Sequence, residues 1–257
     1  MSKIEMERLL GEQVVKITLN APEGNILDGD MMKELLHVLE DLKSRRSVKL
    51  VMFQGAGDHF SFGASVEEHQ GEMVVNMLRL FHRVFYELID LSIPSAALVS
   101  GQCLGGGMEL AASCHFVYAD ETAEFGQPEI KLGVYPPLAS LILPLKIGSA
   151  RADSLLLTGQ SISAREAKVT GLVNEVFEAR DTMEEWVTAW IQREIVPKSA
   201  SSLKLGVMAA RRVFNETVRL ELPKLEKMYV EKLMATHDAN EGISAFLQKR
   251  PPEWEDS

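Results

Sequence analysis

Three consecutive glycines, Gly105-Gly106-Gly107, stand between the apolar run Ser95–Ser100 and the apolar segment Met108-Glu109-Leu110-Ala111-Ala112. A strand over Ser95–Ser100 ending at Gly101, then a helix from near Met108 with Glu109 in its first turn, is the reading that fits. Bare glycine backbone lets a ligand approach closely. A helix start adds unpaired N–H groups and the positive end of a dipole. Such a corner can hold an oxygen that gains negative charge during a reaction. A second strand, His115–Ala119, leads on to Phe125-Gly126-Gln127-Pro128-Glu129, so a second carboxylate follows the first by twenty positions. Two carboxylates at one site can divide acid and base roles when their surroundings separate their pKa values.

The 257 residues suit one large domain, or one domain with a smaller appendage. A net charge of −10 argues against nonspecific binding to nucleic acid or to an anionic membrane. It leaves room for a phosphorylated ligand held by a few local cations. Two cysteines, Cys103 and Cys114, are too few for a disulfide scaffold, so a reducing cytoplasm is expected. The start Met1-Ser2-Lys3-Ile4-Glu5 lacks an apolar signal core, and no apolar run approaches membrane-spanning length.

Along the chain, Ile4–Leu9 and Val14–Leu19 read as paired strands around Gly11-Glu12, and residues 20–25 as a turn. Asp28 or Asp30 can cap a helix running to about Arg45, whose apolar face is Met31, Leu35, Leu36, Val38, Leu39 and Leu42. Lys49–Gln54 is a buried strand, Phe60–Ser65 a small-residue turn, and Met73–Leu91 an amphipathic helix ended by Ile93-Pro94. Helices are expected near 138–147, 150–157 and 164–169, and a last strand over Leu172–Phe177. From Thr182 the pattern is helical, punctuated by Pro197, Pro223 and Pro251-Pro252. An α/β core followed by a helical region results, which a doubly wound sheet would satisfy equally well.

Several site chemistries lack their residues. Gly101-Gln102-Cys103-Leu104-Gly105-Gly106-Gly107 is not the G-x-G-x-x-G of a dinucleotide fold, and neither a P-loop nor a metal-binding spacing occurs. Cys103 and Cys114 beside His115 read more readily as packing than as nucleophiles.

G-G-G-M-E-L-A, with F-G-Q-P-E-I following, resembles the crotonase (enoyl-CoA hydratase/isomerase) superfamily, and the resemblance covers nearly the whole chain. It implies a spiral of repeated ββα units over residues 1–195 carrying the active site. Residues 196–257 would form a helical region for oligomerisation and active-site capping. It implies that the amides of Ala64 (in F-G-A-S) and Gly106 hold the thioester carbonyl of an acyl-CoA. Glu109 would orient and deprotonate water, and Glu129 would deliver a proton to carbon. The ending D-A-N-E-G-I-S-A-F-L-Q-K-R implies that Phe246 and Lys249 touch CoA on a neighbouring subunit of a trimer or dimer of trimers. No cofactor or metal is implied beyond the CoA of the substrate.

Departures from the family pattern narrow the substrate. Ser65 replaces the usual Asp after G-A, and Glu67 stands where a basic residue is common, which removes one expected contact to the CoA nucleotide. Val134-Tyr135-Pro136-Pro137 replaces a glycine-rich segment, implying a rigid pocket wall. With F-S-F-G-A-S-V-E-E-H, it resembles hydratases acting on alicyclic dienoyl thioesters of anaerobic benzoyl-CoA breakdown. The expected reaction is therefore hydration of cyclohexa-1,5-diene-1-carbonyl-CoA to the 6-hydroxy-1-ene product. A straight-chain 2-enoyl-CoA hydratase and an enoyl-CoA double-bond isomerase are the alternatives.

Overall fold

The computed structural model describes residues 2–21, 23–71 and 73–257, so Pro22 of the expected turn lies outside the described residues. Strands β1 (Ile4–Leu9) and β2 (Val14–Leu19) form the expected antiparallel hairpin. Helix α1 (Gly29–Lys43) starts at Asp28, whose side chain accepts from the Met31 N–H at 3.0 Å. It buries Met31, Met32, Leu35, Leu39 and Leu42. Strand β3 (Leu50–Gly55), helix α2 (Met73–Leu91) and strand β4 (Ser95–Val99) follow.

At Gly101, φ +55°, the chain leaves β4 and enters β5 (Gln102–Leu104). Helix α3 (Gly106–Ser113), strand β6 (Phe116–Asp120), strand β7 (Glu124–Gly126) and a 3-10 turn at Pro128–Leu132 complete the central segment. Then come α4 (Pro137–Ile147), α5 (Ser149–Thr158), β8 (Ser161–Ser163), α6 (Ala164–Thr170) and β9 (Glu175–Phe177). Helices α7 (Arg180–Glu194), α8 (Ala200–Ala210), α9 (Arg212–Glu231) and α10 (His237–Leu247) close the chain.

The strands divide between two sheets, which distinguishes this α/β fold from a doubly wound one. The larger has the order β1-β2-β3-β4-β6-β9 and is parallel from β2 onward; the smaller is β5-β7-β8. Two circuits place one strand in the large sheet and the next in the small one, β4 then β5, and β6 then β7. Parallel bridges Leu27–Ala64 and Ser61–Cys103 tie the 60–64 turn to its neighbours. The repeated strand–strand–helix unit expected from the sequence is this spiral.

Three expectations need correction. Helix α3 begins at Gly106, two residues before Met108, so the second glycine is already its first residue. The last strand is Glu175–Phe177 alone, because the N–H groups of Leu172 and Val173 both turn back to the Ala167 carbonyl. Pro223 does not interrupt the C-terminal pattern but lies inside α9. A proline there forfeits one backbone hydrogen bond. Burial of Val218, Leu222 and Tyr229 on the face packed against α4 outweighs that loss.

Candidate active site

The glycine corner has a separate reason at each position. Gly105 has φ +50°, and a Cβ on it would lie 2.7 Å from the Glu129 carboxyl. A Cβ on Gly106 would meet the Phe81 ring at 2.9 Å and the Ala64 nitrogen at 3.2 Å. A Cβ on Gly107 would strike Ser61. The backbones at Ala64 and Gly106 therefore lie close together. Among the described residues neither amide has a hydrogen-bond acceptor.

The turn that carries Ala64 is fixed from behind. Asn25, buried and at φ +48°, donates to the carbonyls of Ala56 and His59 at 2.9 and 2.8 Å. Ser61 Oγ donates to the Asn25 carbonyl at 2.8 Å and accepts from the Gly63 N–H at 3.0 Å. Leu27 N–H is bonded to the Gly63 carbonyl at 2.9 Å. A rigid donor needs no reorganisation when charge develops in front of it.

Both carboxyl residues line the same pocket, which Phe81, Tyr135, Pro136 and Tyr229 also line. Glu109 is 3% exposed. Its Oε1 accepts from the Ala139 N–H, in the first turn of α4, at 2.7 Å. Burial raises its pKa, while the His82 charge and the backbone amides of Ala139 and Leu138 oppose that rise. The Pro136-Pro137 pair thus does more than stiffen the wall: it starts the helix whose Ala139 and Leu138 amides favour the charged form of Glu109 against its burial.

Glu129 has only its own backbone N–H in that role. Burial, and then the Glu109 charge, push its pKa up to about 8. Of the two acids, Glu129 is therefore the one that holds its proton to the higher pH. The buried Gln127 amide lies beside Glu129. With its oxygen toward the acid, its nitrogen donates to the Gly105 carbonyl at 3.4 Å, an arrangement that a protonated Glu129 satisfies. Turned over, the nitrogen donates to both carboxyl oxygens at 3.0 Å, which suits the ionised form.

Four of the six expected residues, Ala64, Gly106, Glu109 and Glu129, line this pocket. Phe246 and Lys249 do not: both are exposed, Phe246 by 54%, at the end of α10. Ser65 Oγ donates to Glu67 at 2.9 Å, so the two departures from the family pattern are bonded to each other. Cys103 and Cys114 are buried and free, and burial raises both thiol pKa values, which is packing chemistry. Among the described residues no group of three or more His, Cys, Asp or Glu could hold a metal ion.

Gln127, His82 and Tyr229 are pocket-side groups that sequence reasoning missed. Gln127 stands inside the quoted F-G-Q-P-E, so a search of that motif for hydrogen-bond partners would have reached it. His82, on α2, is fully buried, and its Nδ1 is 2.5 Å from Glu226 on α9, 144 positions away. No local signal links such residues.

A family profile described as enoyl-CoA hydratase/isomerase matches residues 10–257. A cyclohexa-1,5-dienecarbonyl-CoA hydratase of Thauera aromatica is 38% identical over 253 residues, covering 98% of this chain and 96% of that one. A probable enoyl-CoA hydratase of Rhizobium meliloti is 37% identical, covering 93% of each. Among solved structures, an enoyl-CoA hydratase of Mycobacterium avium subsp. paratuberculosis superposes with a TM-score of 0.85 at 27% identity, covering 99% of both chains.

Proposed function

The chain belongs to the enoyl-CoA hydratase/isomerase family, and on that premise we propose that it hydrates a cyclic conjugated dienoyl thioester, cyclohexa-1,5-diene-1-carbonyl-CoA. As a member of the hydratase class, it is a hydro-lyase acting on an acyl-CoA thioester. One observation carries the mechanism: two backbone amides without an acceptor among the described residues and two buried carboxyls, of which Glu129 has its pKa pushed up to about 8, meet at one pocket.

Glu109 takes a proton from water as the water oxygen bonds to ring carbon C2, the carbon β to the thioester. The C1=C2 electrons move toward the carbonyl, and the resulting negative oxygen rests on the Ala64 and Gly106 amides. One such donor is worth about 3 kcal/mol in comparable sites. The charge returns through C1–C6, and C5 takes the proton from Glu129. The ring is left with a hydroxyl and one double bond conjugated to the thioester, which is the 6-hydroxy-1-ene product. Glu109 ends protonated and Glu129 ionised, so the pair resets by exchanging a proton through solvent.

The acyl group is chosen by shape. Tyr135, Pro136 and Pro137 form a wall that cannot flex as glycines would, and the Tyr135 hydroxyl is anchored to the Leu225 carbonyl at 2.8 Å. Similarity to the Thauera hydratase supports the ring-containing substrate. The test is a panel of crotonyl-CoA and the cyclic dienoyl-CoA, following loss of conjugated absorbance. A kcat/KM at least about tenfold higher for the ring supports the proposal. Preference for crotonyl-CoA overturns the ring and keeps hydration; isomerisation with no gain of water overturns both.

A further inference from the structure

Among the described residues, two polar atoms at the pocket have no partner although they are buried, His82 Nε2 and the Tyr229 hydroxyl. Leaving a buried polar group unpaired costs about 1–3 kcal/mol. The two are connected through one helix: α9 supplies Tyr229 directly and, one turn earlier, supplies Glu226, which holds His82. The imidazole is therefore already committed on one side. Tyr229 is not.

Tyr229 is only 1% exposed, and its ring packs edge-on against Tyr135 with centroids 5.3 Å apart. This contact fixes the ring of a residue that lines the cavity and is shut off from solvent. Burial, and then the neighbouring Glu129, Tyr135 and Glu109, raise its pKa and hold it in the protonated form. An unpartnered O–H donor lining the pocket that holds both acids has a natural acceptor in the reaction, the oxygen of the water that Glu109 activates.

We propose that Tyr229 is a third catalytic residue, donating a hydrogen bond to the oxygen of the water that adds to carbon. As Glu109 removes a proton, that oxygen becomes hydroxide-like before its C–O bond is complete, and a fixed donor stabilises it. No proton leaves Tyr229, so the balance of the reaction is unchanged. The inference rests on the hydratase reading above.

The test is Tyr229→Phe in the full-length protein, assayed with crotonyl-CoA and with the cyclic dienoyl-CoA beside the unaltered enzyme. Expected is a fall in kcat of about ten- to a hundredfold, the range for a hydrogen bond to a charged oxygen. KM stays within about threefold, since the ring packing is retained. The melting temperature is equal or higher, because the lost hydroxyl had no partner. A kcat within about twofold of the unaltered enzyme overturns the proposal. So does a fall in kcat accompanied by a lower melting temperature, which marks a structural role. If the unaltered enzyme hydrates neither thioester, the hydratase reading itself fails; if it does and the variant matches it, only the role of Tyr229 fails.

Discussion

Glu109 and Glu129 are chemically the same side chain, and only their neighbours separate them. The Ala139 amide supports charge on the first, while burial and the first carboxylate deny it to the second. Glu109→Gln and Glu129→Gln are each expected to lower hydration by about 10²- to 10⁴-fold with the fold intact, checked by kinetics and circular dichroism. The proton on Glu129 also sets a pH dependence. Hydration is expected to fall as pH rises through about 8. Stability follows the same group. Folding raises its pKa from an ordinary 4.5, so its contribution is full below 4.5 and is lost as pH rises through about 8. Glu129→Gln removes that loss, and melting curves above pH 8 should find it more stable than the unaltered chain. The two acids and both amides were legible in local sequence, because each sits in a short motif. Tyr229 and His82 were not, since what matters about them is which distant helix they face.

At the scale of elements, helix ends carry the site. The start of α3 presents the Gly106 amide and the start of α4 braces Glu109. Gly106→Ala tests the first: its methyl would press on Phe81 and on the Ala64 nitrogen. It should cost about 10²- to 10³-fold in kcat, the range for losing one such donor, read by steady-state assay. The longer elements could be read from sequence. Asp28 announces α1 by its capping side chain, and the apolar face of α2 spans Met73–Leu91 as expected. The small sheet could not be read, because β5, β7 and β8 are three residues each, too short for any period to appear. Pro223 misled for a physical reason: local propensity costs about 3 kcal/mol at a helix-interior proline, and tertiary burial of Leu222 and Tyr229 overrides it.

In the whole molecule, the helical end of the chain folds over its own pocket, with Tyr229 of α9 and Ile243 of α10 in the lining. Phe246 and Lys249 remain outside, so their expected contact with CoA needs a second subunit. Sedimentation equilibrium is expected to find three or six chains, and a monomer would remove that contact. The surface also bears Leu205, Met208 and Val213 at 66%, 54% and 69% exposure on α8 and α9, apolar groups that association would cover. For the assembly and the ring the motifs supply only a resemblance, because both depend on surfaces assembled from several elements. What all three scales converge on is a water molecule joined to carbon under a polarised thioester. Running the unaltered enzyme on the cyclic dienoyl-CoA in oxygen-18 water, with mass spectrometry of the product, tests it most directly. A hydro-lyase yields product heavier by one labelled water; product of the same mass as the substrate would contradict hydration outright.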